Sequence, residues 1–236
     1  MRLYILIILI CCAALSCKQN SEKKSIQKID YLSNWFTQNE DSLYVELIKL
    51  ATKELKGYDV EKYGYTSNHQ PPDTYMGRFT QQVKKYCDSL DVSFSYNKNL
   101  NPKADILITT NYNRRLTKAL DTILNSVSHP KYFQLIKYYQ SSTDSTTDIL
   151  TLDNGVVVLK DLRVQIIPTK NLYNLIIYIP TKKTSKKVSE SDYEFLRTEL
   201  FGEELFLKKI NNLTILFSET IKPNLLSVFE ARNRLK

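Results

Sequence analysis

Apolar residues recur along this chain with two different periods, and these periods predict its secondary structure. Spacings of three and four residues predict helices over residues 26–55, 75–90, 116–127, 191–205 and 225–235. We interpret the first segment as two helices broken near Asn39. Ser191 and Glu194 have the spacing of a capping box and would begin the fourth helix. Alternation of apolar and polar residues, or short apolar runs, predicts strands over 92–96, 104–109, 131–139, 149–152, 156–160, 162–167, 172–179 and 213–217.

The segments between these elements complete the predicted fold. Tyr58–Pro72 is rich in Tyr, Gly, Asn and Pro and predicts a loop, and Asp153-Asn154-Gly155 predicts a tight turn. Strands 92–96 and 104–109 would form a hairpin. The mixed order of helices and strands predicts an α+β fold, with a mainly antiparallel sheet covered by helices after an N-terminal helical segment. No repeat and no linker interrupts residues 26–236, so we predict a single domain there.

The N-terminus carries a different pattern. Arg2 precedes an apolar run, Leu3–Leu15, that is 13 residues long. As a helix this run would span roughly 20 Å, which is short of the ~30 Å hydrocarbon core of a bilayer. A signal peptide over residues 1–16 therefore fits better than a membrane-spanning helix. An uncleaved anchor and an ordinary secretory signal are the alternatives.

The end of this run resembles the lipobox of bacterial lipoproteins. Ala13-Ala14-Leu15-Ser16-Cys17 is followed at once by polar residues, and it departs from the usual motif in having Ala14 where Leu is commonest. The resemblance implies that Cys17 is lipidated, becomes the mature N-terminus and attaches the protein to a lipid membrane. Residues 17–25 would then form a lipidated tether. In the lipoproteins that this motif resembles, an Asp directly after the cysteine is associated with retention in the inner membrane, and paired acids resemble a signal for export to the cell surface. Here Lys18 follows Cys17 and no paired acids come after it. The resemblance therefore implies an outer-membrane lipoprotein of the cell envelope that faces the periplasm.

Charge and cysteine content change this picture in two ways. The net charge is +8, or +7 once Arg2 is removed with the signal peptide, but an envelope address argues against nucleic acid as a partner. A dense basic group, Lys182, Lys183, Lys186 and Lys187, is either a solvated loop or a contact for anionic headgroups or an acidic partner. After processing, Cys87 is the remaining thiol, so no internal disulfide can form. We expect Cys87 to be a buried, unreactive side chain.

Three segments resemble a group of bacterial domains of unknown function. These are Asn34-Trp35-Phe36-Thr37-Gln38-Asn39-Glu40, then Phe79–Tyr96 with Ala104–Thr109, and finally Asp192–Phe217 with its Leu200-Phe201-Gly202-Glu203 turn. The resemblance implies an α+β fold and brings no catalytic residues with it. The chain departs from that group in its lipid anchor and in the longer segment Tyr58–Thr74.

The inventory of reactive residues excludes most catalytic constellations. His69 and His129 lie in separate predicted loops, and the glycines have neither P-loop nor dinucleotide-binding spacing. We predict no catalytic residue, no metal site and no cofactor. Candidate ligand or partner contacts are the four lysines above and the loop residues Tyr63, Tyr65, His69 and Asp73. Trp35-Phe36 is predicted to be core, and Glu203-Glu204 a polar helix face beside Gly202, which would permit close helix–sheet packing.

These observations favour a membrane-tethered, non-enzymatic interaction protein of the envelope, either immunity-type or an assembly factor, that binds a protein partner. The alternative is a small-molecule or glycan-binding lipoprotein that uses the Tyr-rich segment 58–75. A hydrolase using His69 and Asp73 is less favoured, since one His–Asp pair is a weak signal.

Overall fold

The computed structural model describes residues 28–51, 65–67, 71–96, 103–127, 129–141, 149–152, 155–180, 188–220 and 224–236, with the backbone alone for 65–67 and 155. These residues belong to two compact units. Unit 1 ends at Thr110 and resumes over Arg115–Lys137, and unit 2 comprises Asn111–Arg114 and Tyr138–Lys236. We predicted that residues 26–236 form a single domain, that is, one independently folding unit. The division into compact units does not test independent folding, so the single domain stays a prediction.

The first helix of unit 1, α1, is continuous over residues 28–51. The predicted break near Asn39 is wrong. The Asn39 side-chain amide donates to the Trp35 carbonyl 2.7 Å away, one turn earlier, so the residue is accommodated within the helix. The buried face of α1 consists of side chains spaced by four or seven residues, namely Leu32, Phe36, Leu43, Leu47 and Ala51. One stripe of this length belongs to one helix.

A four-stranded sheet forms the centre of the described part of unit 1, in the order β1-β2-β3-β4. Its strands are Tyr65–Ser67, Asp91–Tyr96, Ala104–Thr109 and Phe133–Lys137. The predicted β2–β3 hairpin is confirmed, and β4 pairs with β3 in parallel. Strand β1 lies inside the segment that we predicted to be a loop, so that prediction is wrong for Tyr65–Ser67. Strand β1 pairs antiparallel with the end of β2. This is a long-range contact, which no local sequence pattern predicts.

Two shorter helices complete the described part of unit 1: α2, Tyr75–Tyr86, and α3, Thr117–Ser126, which a 3-10 turn at Arg114–Leu116 precedes. Aromatic rings join the elements edge to face, with Phe36 5.5 Å from Phe79 and 6.1 Å from Phe133. The prediction that Phe36 is core is confirmed, and Trp35 is half-buried beside Phe79. Cys87, predicted to be buried, is partly exposed at the end of α2.

Unit 2 contains two further sheets in its described part. Strands β5, Ile149–Leu152, and β6, Gly155–Val158, pair antiparallel, and a 3-10 turn at Leu159–Asp161 follows. Asp153 and Asn154 of the predicted turn lie outside the described residues, and Gly155 begins β6. The second sheet has the order β7-β8-β9, made of Arg163–Pro168, Tyr173–Pro180 and Ile210–Ser218. Strands β7 and β8 are antiparallel, and β9 is parallel to β8.

The two helices of unit 2 are α4, Glu190–Lys209, and α5, Val228–Leu235. The N-cap of α4 is Ser189, whose hydroxyl accepts from the Asp192 amide, so the predicted capping box at Ser191 and Glu194 is wrong by two residues. A capping box does begin α5, at Ser227 and Glu230. Leu175, Ile177, Leu196 and Leu200 lie in a buried core that α4, α5 and the sheets share. The predicted α+β fold with mostly antiparallel sheets is thus confirmed.

Candidate functional site

A cleft of about 390 Å³ in unit 2 is a candidate binding site. One wall is the extended segment Tyr139–Ser141, the second is the C-terminal half of α4, and the third is the end of α5. We call this site the basic cleft. Its volume falls at the lower end of the range of roughly 300–1,000 Å³ that is typical of ligand pockets.

The α4 wall owes its shape to Gly202. This residue has φ 67° and ψ 166°, so the helix kinks there between two regular halves. A Cβ atom at this position would lie 2.8 Å from the Ser141 nitrogen and 3.0 Å from the Tyr139 carbonyl oxygen. Glycine is therefore required twice, by the backbone conformation and by the close approach of the neighbouring chain. The expectation of close packing at Gly202 is confirmed, although its neighbour is the segment Tyr139–Ser141.

Hydrogen bonds of Glu203 hold the segment Tyr139–Ser141 against the kink of α4. Its amide donates to the Tyr139 carbonyl at 2.8 Å, and the Tyr139 amide donates back to the Glu203 carboxylate at 3.2 Å. The Ser141 hydroxyl adds a bond of 2.8 Å to the Glu199 carbonyl. Because the first amides of a helix half lack partners in the helix itself, these bonds satisfy groups that the kink would leave open. The wall formed by Tyr139–Ser141 is thus fixed before any ligand arrives.

The same carboxylate also holds the inserted segment Asn111–Arg114. The Tyr112 amide donates to Glu203 at 3.1 Å, and the Tyr112 hydroxyl lies 2.6 Å from the Thr198 hydroxyl. Arg114 reaches the end of α4, where its guanidinium donates to the carbonyls of Leu207, at 2.7 Å, and Phe206. A guanidinium at a helix C-terminus satisfies its unpaired carbonyls and opposes its negative dipole end.

Arg197, in the first half of α4, packs against the segment Asn111–Arg114. Its guanidinium lies 3.5 Å from the centre of the Tyr112 ring and forms an ion pair with Glu194. Burial lowers the pKa of Arg197, and burial also raises the pKa of the Tyr112 phenol. A stacked, half-desolvated guanidinium of this kind positions its neighbours, which makes it part of the scaffold behind the basic cleft.

The charge of the basic cleft comes from four cationic side chains and one acidic side chain. Lys208 and Lys209 come from α4, Arg232 and Lys236 from α5, and Glu204 faces Lys208 at 2.6 Å. The side chains therefore contribute +3. The two helix C-termini at the cleft oppose this with about −0.5 each, and a terminal carboxylate at Lys236 would oppose it by a further unit, so the excess is positive but small.

A second depression, of about 450 Å³, lies on unit 1 beside Glu46 and Tyr75. The Glu46 carboxylate accepts the Tyr75 and Met76 amides at 2.9 and 3.1 Å, so it caps the start of α2. Glu40 accepts the Tyr132 amide in a similar way, at 2.8 Å. Glu40 lies outside the depression, whose charged lining consists of Asp41, Glu46 and Lys49, so the depression lacks the group of cations that the basic cleft has.

Most of the contact residues that the sequence suggested lie outside the described residues. This applies to Cys17 and its tether, to Tyr63 and His69, and to the four lysines Lys182, Lys183, Lys186 and Lys187. Asp73 is exposed in the turn before α2. The backbone of Tyr65 lies in β1, opposite Tyr96. Their roles as contacts stay predictions.

Sequence reasoning missed the basic cleft and misjudged one residue beside it. Glu203 is fully buried, so the predicted polar helix face at Glu203-Glu204 is wrong for the first residue and right for the second, which is exposed. Two signals bear on the cleft in retrospect. Lys208 and Lys209 are adjacent at a helix end, and Gly202 interrupts a helical pattern, which usually has a packing reason. Neither signal reveals that Arg232 and Lys236 lie opposite these lysines.

Metal-ligand geometry, helix hydrophobicity and similarity to known proteins add no assignment. Within the ranges that the structure describes, no group of three or more His, Cys, Asp or Glu side chains is placed to hold a metal ion. No helix in those ranges has the length and apolar character needed to cross a membrane. The chain matches no protein-family model, no curated protein and no solved structure.

Proposed function

We propose that this protein is a membrane-tethered, non-enzymatic lipoprotein of the bacterial envelope that captures an acidic protein partner in the basic cleft. The observation that carries the proposal is the concave site itself, in which four cations converge on a preformed wall. Electrostatic complementarity of this kind guides the encounter and selects the partner. The lipid on Cys17 would place the cleft at the membrane surface, as an immunity-type or envelope-assembly factor requires.

A binding role accounts for the acidic residues better than a catalytic one does. Glu40, Glu46 and Glu203 each accept backbone amides, and so each stabilises the fold. Asp73, which a hydrolase would need beside His69, is an exposed turn residue. A general acid or base is normally held within a site that positions its substrate.

The experiment places a photo-crosslinking residue at Gln140, an exposed position in the wall of the basic cleft, in cells that express the full chain. We expect a crosslink to one protein with an acidic surface. Lys208→Glu with Lys209→Glu should abolish that crosslink, whereas Lys170→Glu, at an exposed turn outside the cleft, should preserve it. Crosslinks to phospholipid alone, or to a protein regardless of the charge reversal, would overturn the proposal.

A glycan-binding role is the second candidate, because one observation on unit 1 favours it. The Tyr44 and Tyr132 rings are stacked 4.7 Å apart, and Tyr96, opposite the Tyr65 backbone, lies edge-on to Tyr44. Burial and the neighbouring phenols raise the pKa of Tyr44. A change in tyrosine fluorescence on adding soluble oligosaccharides, lost in Tyr132→Ala, would support this role.

A further inference from the structure

The basic cleft combines two kinds of surface. Phe201 and Leu235 are buried, Leu205 is half-buried, and these three apolar side chains line its interior. The lysines and Arg232 stand around them. Leu205 is the one of these three that keeps exposed surface, so a partner that carried only acidic groups would leave Leu205 in contact with water, and a purely apolar partner would cover the cations without pairing them. The lining therefore matches a ligand that carries carboxylates and an apolar side chain together.

The rim of the cleft is open to solvent. The side chains of Lys208 and Glu204 remain 65 % and 51 % exposed. Small molecules are usually enclosed, with 70–90 % or more of their surface buried. An open cleft instead admits a segment of a larger molecule, whose chain continues past both ends. A concave site also distinguishes such a segment from a flat bilayer surface.

Glu204 already supplies a carboxylate to Lys208, as an acidic ligand would. It lies 2.6 Å from the Lys208 ammonium, one helical turn away. An exposed pair of this kind is worth only about 0–1 kcal/mol, so an incoming carboxylate can replace it at little cost. Glu204 therefore acts as a weak internal competitor for Lys208.

On these grounds, and resting on the proposed function, we infer that the element captured by the basic cleft is a short acidic peptide segment with a central apolar side chain. The apolar side chain contacts Phe201, Leu205 and Leu235, and the flanking carboxylates pair with Lys208, Lys209 and Arg232. Tyr139–Ser141, fixed by Glu203, forms the wall along which the segment lies.

The experiment measures fluorescence polarisation of labelled five-residue peptides with the full chain in a zwitterionic detergent. The probes are DDLDD, DDSDD and NNLNN. We expect DDLDD to bind, and DDSDD to bind about tenfold more weakly, since one buried leucine side chain is worth at least that factor. NNLNN should lose binding, and added salt should weaken DDLDD because exposed charges are screened.

Matched variants test the assignment of residues. Lys209→Gln should weaken DDLDD by up to about fivefold, the upper range for an exposed ion pair. Glu204→Gln should strengthen it by a similar factor, because the internal competitor is removed. Lys170→Gln, which makes the same change of charge as Lys209→Gln outside the cleft, should leave affinity unchanged.

Each of three results would overturn the inference. One is equal binding of DDLDD and DDSDD, which would show a site for charge alone. Another is no binding of DDLDD, and the third is binding that Glu204→Gln weakens. If the Gln140 crosslink still identifies an acidic protein in such a case, the proposed function stands and only the peptide assignment fails.

Discussion

Glu203 carries several contacts at once, which is unusual for a single side chain on a helix. It is buried, and it accepts the amides of Tyr112 and Tyr139, which lie on separate segments of the chain. Burying a carboxylate is costly unless hydrogen bonds compensate. Here the compensation comes from the two backbone amides that donate to the carboxylate.

Replacing Glu203 should therefore destabilise the protein strongly. Glu203→Ala leaves two amides without this acceptor, each worth about 1–3 kcal/mol, so we expect a loss of about 2–6 kcal/mol. Glu203→Gln keeps one oxygen and should lose less. Urea unfolding of the detergent-solubilised full chain measures the change, with the exposed Glu204→Ala as the control. Equal midpoints for Glu203→Ala and Glu204→Ala would contradict this role.

Asp105 on β3 presents the opposite case, a carboxylate that the fold compensates poorly. Its Oδ1 is buried and has no hydrogen-bond partner in the described part of the chain, and Ser95 donates to Oδ2 at 3.3 Å. Burial raises the pKa of Asp105, and the Ser95 bond lowers it by less. Because the folded pKa exceeds the unfolded one, the charged form costs stability at neutral pH, and acidification through the folded pKa relieves that cost.

Asp105→Asn should consequently raise the urea midpoint at pH 7. The difference from the natural protein should shrink as the pH falls through the raised pKa of Asp105, and it should vanish below about pH 4, the ordinary range of an aspartate. Asp30→Asn, which removes an exposed carboxylate from α1, controls for the loss of charge. A lower midpoint for Asp105→Asn at pH 7 would refute this interpretation.

At the scale of elements, α4 does two tasks that an unbroken helix could not combine. Its first half contributes Leu196 and Leu200 to the core of unit 2, and its second half presents Lys208 and Lys209 to the basic cleft. The kink at Gly202 joins the halves and brings the chain against Tyr139–Ser141. Kinks of this kind have identifiable local causes, and here the cause is one glycine.

Gly202→Ala tests the kink. The added Cβ meets backbone atoms, which cannot rotate away, and the conformation is one that residues other than glycine rarely adopt. We expect a loss of about 1–3 kcal/mol in the free energy of unfolding, together with weaker peptide binding in the cleft. Thermal denaturation and fluorescence polarisation report the two effects. A variant with unchanged melting temperature and affinity would show that the kink is dispensable.

The whole molecule combines a proposed membrane address with a proposed partner site, and the address can be tested separately. Cys17→Ala should abolish incorporation of labelled palmitate and release the protein from the membrane fraction, since acyl chains supply the anchoring energy. Cys87→Ala should leave both unchanged. Labelled palmitate that still enters the Cys17→Ala protein would refute the lipidation site.

Much of the local structure could be predicted from the sequence because it depends on local periodicity. The stripe from Leu32 to Ala51 and the strands of the β2–β3 and β5–β6 pairs place apolar residues at the spacing of their element. The local sequence does not fix where a helix begins, as the N-cap of α4 shows. Ser189 and Ser191 are both good caps, and local sequence does not decide between them.

The sequence by itself determined the α+β class and most elements, because burial of apolar residues follows the period of the backbone. Only the tertiary structure decided that β1 is a strand, that Glu203 is buried and that a basic cleft exists. Strand β1 exists through pairing with β2, Glu203 is buried because two distant segments supply amides, and the cleft is basic because α5 brings Arg232 and Lys236 opposite Lys208. Each depends on residues far apart in the chain, and periodicity carries no information about which distant residues will meet.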